Sequence, residues 1–210
     1  MDEWLEELWK PMSNLDIVAA ASRAFAKAIL AAKSPYGNAS FLLAVDHYAK
    51  RAGGLAAIGI DPVLYGQTKE KGIQSVVTYM LDVADSLVAA GRDARPELHV
   101  VEGEMKLISK DPASDVRFAG GYKKLLDLRQ RSSSLAGKNW FRQAKEAKMR
   151  GWGAEDINSF LCYAQRDIDA AGGLQAVPEI TPADWEAVAG IPYRPILLPR
   201  VAAVQKVVNG

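Results

Sequence analysis

Ten of the 26 Lys and Arg residues fall between Arg117 and Trp152, in the segment RFAGGYKKLLDLRQRSSSLAGKNWFRQAKEAKMRGW. Only Asp127 and Glu146 oppose them, which gives the segment a formal charge of +8. The chain as a whole is +1, so the remaining residues sum to −7. The chemistry of such a block is recognition rather than reaction. Closely spaced cations on one surface neutralise the phosphates of a nucleic acid or dock an acidic protein face. The residues placed to do so are Lys123, Lys124, Arg129, Arg131, Lys138, Arg142, Lys145, Lys148 and Arg150. Tyr122, Trp140, Phe141 and Trp152 are interleaved with them. They would stack on unpaired bases if exposed, or pack on a core if not.

Groups that make or break bonds are sparse. His47, His99 and Cys162 lie far apart in sequence, and none belongs to a zinc, thiol or nucleophile motif. No glycine-rich phosphate loop and no nucleophile elbow is present. The sequence predicts no metal and no cofactor. An enzyme of scattered carboxylates would need a polar pocket converging on His47 or His99.

The elements that must position the basic block are helical. Leu125, Leu126 and Leu128 share one side with Tyr122, while Lys138, Arg142 and Lys145 share another. SSSLAG reads as a break, so the block predicts an αα-hairpin over about 120–150 with a serine tip. The residues after that tip, Gly137 and Lys138, would then open a helix whose N–H groups hold a phosphate.

Before the block, helices are expected from Asn14 to about Lys33 and from Ala39 to Arg51. AAIGIDPVLYGQTKEKG reads as turn-rich and leads to a regular helix that carries Ile73, Val77, Ala84 and Val88. ELHVVEGEMKLIS reads as a β-hairpin at about 97–109, centred on Gly103. After the block come a helix over 154–171 closed by Gly172-Gly173, with Cys162 near its buried face, and a short helix opened by Thr181-Pro182. IPYRPILLPR should be extended.

The fold expected is mainly α: one helical domain of about six to eight helices over 1–210 with one small hairpin, and a possible subdivision near 92–116. At the N-terminus Trp4, Leu5, Leu8 and Trp9 share a helical face opposite Asp2, Glu3, Glu6 and Glu7. That face predicts docking, either on the chain's own core or on a neighbouring subunit. No membrane-spanning run occurs, and the single cysteine suits a reducing, intracellular setting.

Two functions stay open at this level. One is a non-catalytic helical subunit of a nucleoprotein assembly that contacts the RNA or DNA backbone through residues 117–152. The other is a structural protein, such as a shell, tail or scaffold subunit, whose termini and basic hairpin contact other subunits in an oligomer.

Overall fold

The structure, a computed structural model, describes residues 12–34 and 36–196 of the 210-residue chain. The N-terminal docking residues Trp4, Leu5, Leu8 and Trp9 lie outside the described residues, as do residues 197–210. Seven α-helices and two single-turn 3-10 helices make up the secondary structure of the described part, and no strand occurs among them. The α-helices are α1 (Asn14–Ala31), α2 (Ala39–Ala52), α3 (Pro62–Ala89), α4 (Arg95–Lys106), α5 (Ala119–Met149), α6 (Ala154–Ala171) and α7 (Pro182–Ala189). The mainly α class expected from the sequence is observed.

Three local expectations are corrected. The β-hairpin at 97–109 is instead α4. Leu98, Val101 and Met105 recur at helical spacing and all three are fully buried, whereas a strand would split them between two faces. Asp93 starts the helix, its carboxylate accepting the Arg95 N–H at 3.0 Å. The turn-rich stretch before residue 73 is mostly helix, because α3 already begins at Pro62. A proline in the first turn lacks only an N–H that would have no intrahelical partner, and Asp61 accepts from Val63 N at 3.0 Å. The serine tip does not exist either: α5 runs unbroken from Ala119 to Met149, so the αα-hairpin over 120–150 is one helix.

Small-residue packing explains that last difference. Ser132, Ser133, Ala136 and Gly137 are buried within α5, as are Ala144 and Ala147. Gly137 faces Ala164 and Ile168 of α6 and Ala144 shares a core with them, while Ser132 turns to Ala94 and Asp93. Residues that read locally as a loop are there because larger ones would hold the two helices apart.

The described residues divide into two compact units, one within 1–80 and 103–112 and the other within 81–102 and 113–210. In the first, Ile17, Ala21, Phe25 and Ala28 of α1 meet Leu42, Val45 and Tyr48 of α2, with Ile58 and Ile60 beside them. Buried Asn38 donates to Ala28 O at 3.1 Å and Thr68 O at 2.9 Å, and Ser75 Oγ donates to Ala32 O at 2.8 Å. The bonds to Ala28 O and Ala32 O satisfy carbonyls at the end of α1 that helix geometry leaves open, and the bond to Thr68 O ties Asn38 to α3.

In the second unit, Phe141 and Ala144 of α5, Leu161, Ala164 and Ile168 of α6, and Trp185 and Val188 of α7 share a core with Val177 and Ile180. Thr181, expected to open α7, forms a capping box with Asp184. Gly172 and Gly173 close α6 as expected, with Gly172 in the left-handed region at φ 111°.

Candidate functional site: the basic face of α5

A single helix aligns the basic residues differently from a hairpin. At about 100° per residue, Lys123, Lys124, Arg131, Lys138, Arg142, Lys145 and Lys148 fall within an arc of about 120°. Lys124, Arg131, Lys138 and Lys145 recur every seventh residue, stepping about 10 Å at a time along that face. Arg129 and Arg150 fall outside the arc. The structure thus brings seven of the nine expected contact residues onto one stripe.

The same structure supplies carboxylates to that stripe. Lys124 Nζ lies 2.9 Å from Asp82 Oδ1 and 3.5 Å from Asp85 Oδ2. Arg131 reaches Asp85 at 3.5 Å and Asp127 at 3.4 Å. Lys138 meets Glu179 at 2.6 Å, and Arg142 lies 4.0 Å from Glu146. Off the stripe, Arg129 pairs with Glu102 at 2.8 Å. The hydrogen bond to Asp82, with Asp85 beside it, holds the Lys124 ammonium above the ordinary lysine value. Its partner in the same role at the other end, Lys138, holds Glu179 below the usual carboxylate range.

Lys148 is spent on structure: its Nζ donates to Ala187 O at 2.7 Å and Val188 O at 3.1 Å, at the C-terminal end of α7. Among the described residues, Lys123, Lys145 and Arg150 have no carboxylate within ion-pair distance.

The aromatics divide. Phe141 is buried and stacks on Trp185 at 5.7 Å between centroids, so it is closed to any base. Trp140 is half-buried, with Phe160 at 6.1 Å and Tyr163 at 5.0 Å. Trp152 lies 6.4 Å from Phe160 and is 48% exposed. Backbone geometry sets it there: Gly151 at φ 71° ends α5, Gly151 N donates to Lys148 O, and Trp152 N donates to Ala147 O. This is the paired bonding of a glycine-terminated helix, which turns the next residue back over the last turn. Met149, 72% exposed, and Tyr163, 45% exposed, lie on α5 and α6.

The phosphate site expected at Gly137 and Lys138 is corrected, because no helix begins there. Two of the three hydroxyls of the serine run are also engaged. Ser132 Oγ accepts from Ala94 N at 2.8 Å and donates to Asp93 Oδ1 at 2.7 Å, and Ser134 donates to Ala176 O at 2.8 Å.

His47 is half-buried on α2, edge-on to Tyr48, and His99 is exposed on α4. Cys162, expected near the buried face of α6, is exposed in a shallow groove with Glu155, Asn158, Ser159 and Tyr163. Among the described residues no group of three or more His, Cys, Asp or Glu is placed to hold a metal ion. No described helix is long and apolar enough to cross a membrane.

Sequence reasoning missed Asp82, Asp85 and Glu179 as partners of the basic block. Each is about forty residues from its cation, and no local spacing signals such a pair. It also missed Asp167 and Asp169, which are buried on α6 although α6 is otherwise amphipathic. Asp167 Oδ1 accepts from Arg95 at 2.9 Å and from Arg166 at 3.1 Å.

The fold and this surface define an all-α protein with a charge-paired helix face and an exposed aromatic corner. No family model, curated protein or solved structure matches the chain.

Proposed function

We propose that this chain is a non-catalytic structural subunit that works by protein–protein contact. The observation that carries this reading is the pairing of Lys124, Arg131, Lys138 and Arg142, four of the seven cations of the α5 stripe, with Asp82, Asp85, Asp127, Glu146 and Glu179. Interleaved carboxylates repel a polyanion at the distances where phosphate contacts form, and they suit a protein surface of mixed charge. The corner at Met149, Trp152 and Tyr163 supplies large, partly exposed side chains. Arg166 lies 5.5 Å from the Tyr163 ring centroid. Trp, Tyr and Arg dominate the energetic centres of protein interfaces.

Light scattering across micromolar to submillimolar protein tests this reading. The expected result is a mass that rises above the 22.8 kDa of one chain and returns to it in Trp152→Asp. A single-chain mass at every concentration removes self-assembly as the function.

The second reading keeps the nucleic-acid backbone as partner. The seven-residue recurrence of Lys124, Arg131, Lys138 and Lys145 along one unbroken helix favours it. The ion pairs on this face are exposed, and such pairs contribute about 0–1 kcal/mol each, so a phosphate can displace a carboxylate. Anisotropy titration with labelled single- and double-stranded oligonucleotides should then show binding that is indifferent to sequence and weakens steeply with salt. No binding at low salt rejects it.

A further inference from the structure

We infer that α6 and α7 form a recognition groove for an extended segment of pattern Pro-Tyr-x-Pro, filled here by the chain's own residues 192–196 and exchangeable with the same segment of a second copy. Three contacts define the groove. Asp169, 4% exposed, spends both carboxylate oxygens on this segment: Oδ1 accepts from the Tyr193 hydroxyl, and Oδ2 accepts from Ile196 N at 2.8 Å. Gln165, one turn earlier on α6, donates its amide to Arg194 O. Trp185 of α7 receives the Tyr193 ring edge-on, with centroids 5.0 Å apart.

Each contact reads a feature of an extended peptide. Gln165 and Asp169 bind a main-chain carbonyl and a main-chain N–H two residues apart, and Trp185 with Asp169 selects a tyrosine. Pro192 and Pro195 fix their own φ and bias Ile191 and Arg194 away from helix, so little conformational freedom is lost on docking. Aromatic-lined grooves that take proline-rich segments use the same economy of ordering. Burial, then the bond to Asp169, pushes the Tyr193 hydroxyl well above its ordinary pKa and keeps it a donor.

A buried carboxylate facing only removable partners is unusual in a static core, because removing them leaves it without hydrogen bonds. The segment is held by one side of the chain and joined through Gly190, which ends α7 in the left-handed region at φ 72°. A segment released at such a hinge can close on the same groove of another copy, and this is the occupant the groove is already shaped for. The inference does not rest on the assembly reading. A single-chain mass in light scattering leaves the groove filled by the chain's own segment, and the peptide titration below still tests whether the groove accepts a second copy of it.

The test uses the full chain and a fluorescein-labelled peptide of residues 191–196. Tyr193→Ala vacates the ring site while Gln165, Asp169 and Trp185 remain. The peptide is expected to bind this variant saturably, and wild type about tenfold or more weakly, because the chain's own segment competes. It should not bind Tyr193→Ala/Asp169→Ala. No binding to a folded Tyr193→Ala variant overturns the proposal. Should that variant fail to fold, Tyr193→Phe and Asp169→Asn carry the test through amide exchange at Ile196. Faster exchange than wild type supports the groove, and unchanged exchange in both refutes it.

Discussion

A methyl group on Gly137 would stand 2.7 Å from Cγ1 of Ile168 and 3.0 Å from its main-chain nitrogen. This contact sets how closely α5 and α6 approach. Gly137→Ala would improve intrinsic helix propensity by about 1 kcal/mol, yet backbone on the opposing helix cannot yield as a side-chain tip can. Overpacking of this kind costs about 1–3 kcal/mol. The expected net effect is destabilisation, read as a lower urea midpoint with an unchanged m-value. A rise in the midpoint would show that the helices can part without cost.

Ser132 couples a backbone group to a carboxylate. Removing its hydroxyl by Ser132→Ala leaves the Ala94 N–H without its bond and should cost about 1–3 kcal/mol. It also changes a pH response. Burial by itself would raise the Asp93 pKa, but hydrogen bonds from Arg95 and Ser132 outweigh it and hold the carboxyl below the usual range. A depressed folded-state value means that this stabilisation is complete above the unfolded carboxylate pKa of about 3.9. It is lost as the pH falls through the folded value. Ser132→Ala should raise the Asp93 pKa, measured by carboxyl NMR titration, so that the loss is smaller and ends at higher pH. An unmoved titration would show that the serine does not act on this carboxylate.

Asn38 and Gly72 should be energetically coupled. Asn38→Ala removes buried donors from Ala28 O and Thr68 O and should cost about 2 kcal/mol. A Cβ on Gly72 would come 2.0 Å from Asn38 Oδ1, so Gly72→Ala should dislodge the same side chain. The double variant is therefore expected to lose clearly less than the sum of the single losses in a denaturation cycle. Strict additivity would separate the two residues.

Two lysines three residues apart should behave oppositely. Lys148→Ala removes the ammonium bound to Ala187 O and Val188 O, costs about 1 kcal/mol, and speeds amide exchange in α7. Lys145→Ala touches no ion pair among the described residues and should stay within about 0.5 kcal/mol of wild type. If binding to an anionic partner is then measured, Lys145→Ala is the variant that should weaken it. Equal stability of the two variants would remove Lys148 from the fold's framework.

The sequence by itself determined the elements whose signals are local. The Thr181–Asp184 cap of α7, the Gly172-Gly173 stop of α6 and the apolar period of α3 involve residues within a turn or two of each other. It also determined that one segment holds the basic excess. Tertiary structure decided the rest. Ser132, Ser133 and Gly137 resemble a loop until the fold buries them, Gly137 against α6 and Ser132 against Ala94 and Asp93, because a close helix contact and a turn select the same small residues. Leu98, Val101 and Met105 became helix by being buried together. The meaning of the basic block changed most, since a charge is read in one dimension but neutralised in three. Lys124 with Asp82 and Lys138 with Glu179 are pairs that only the folded chain makes.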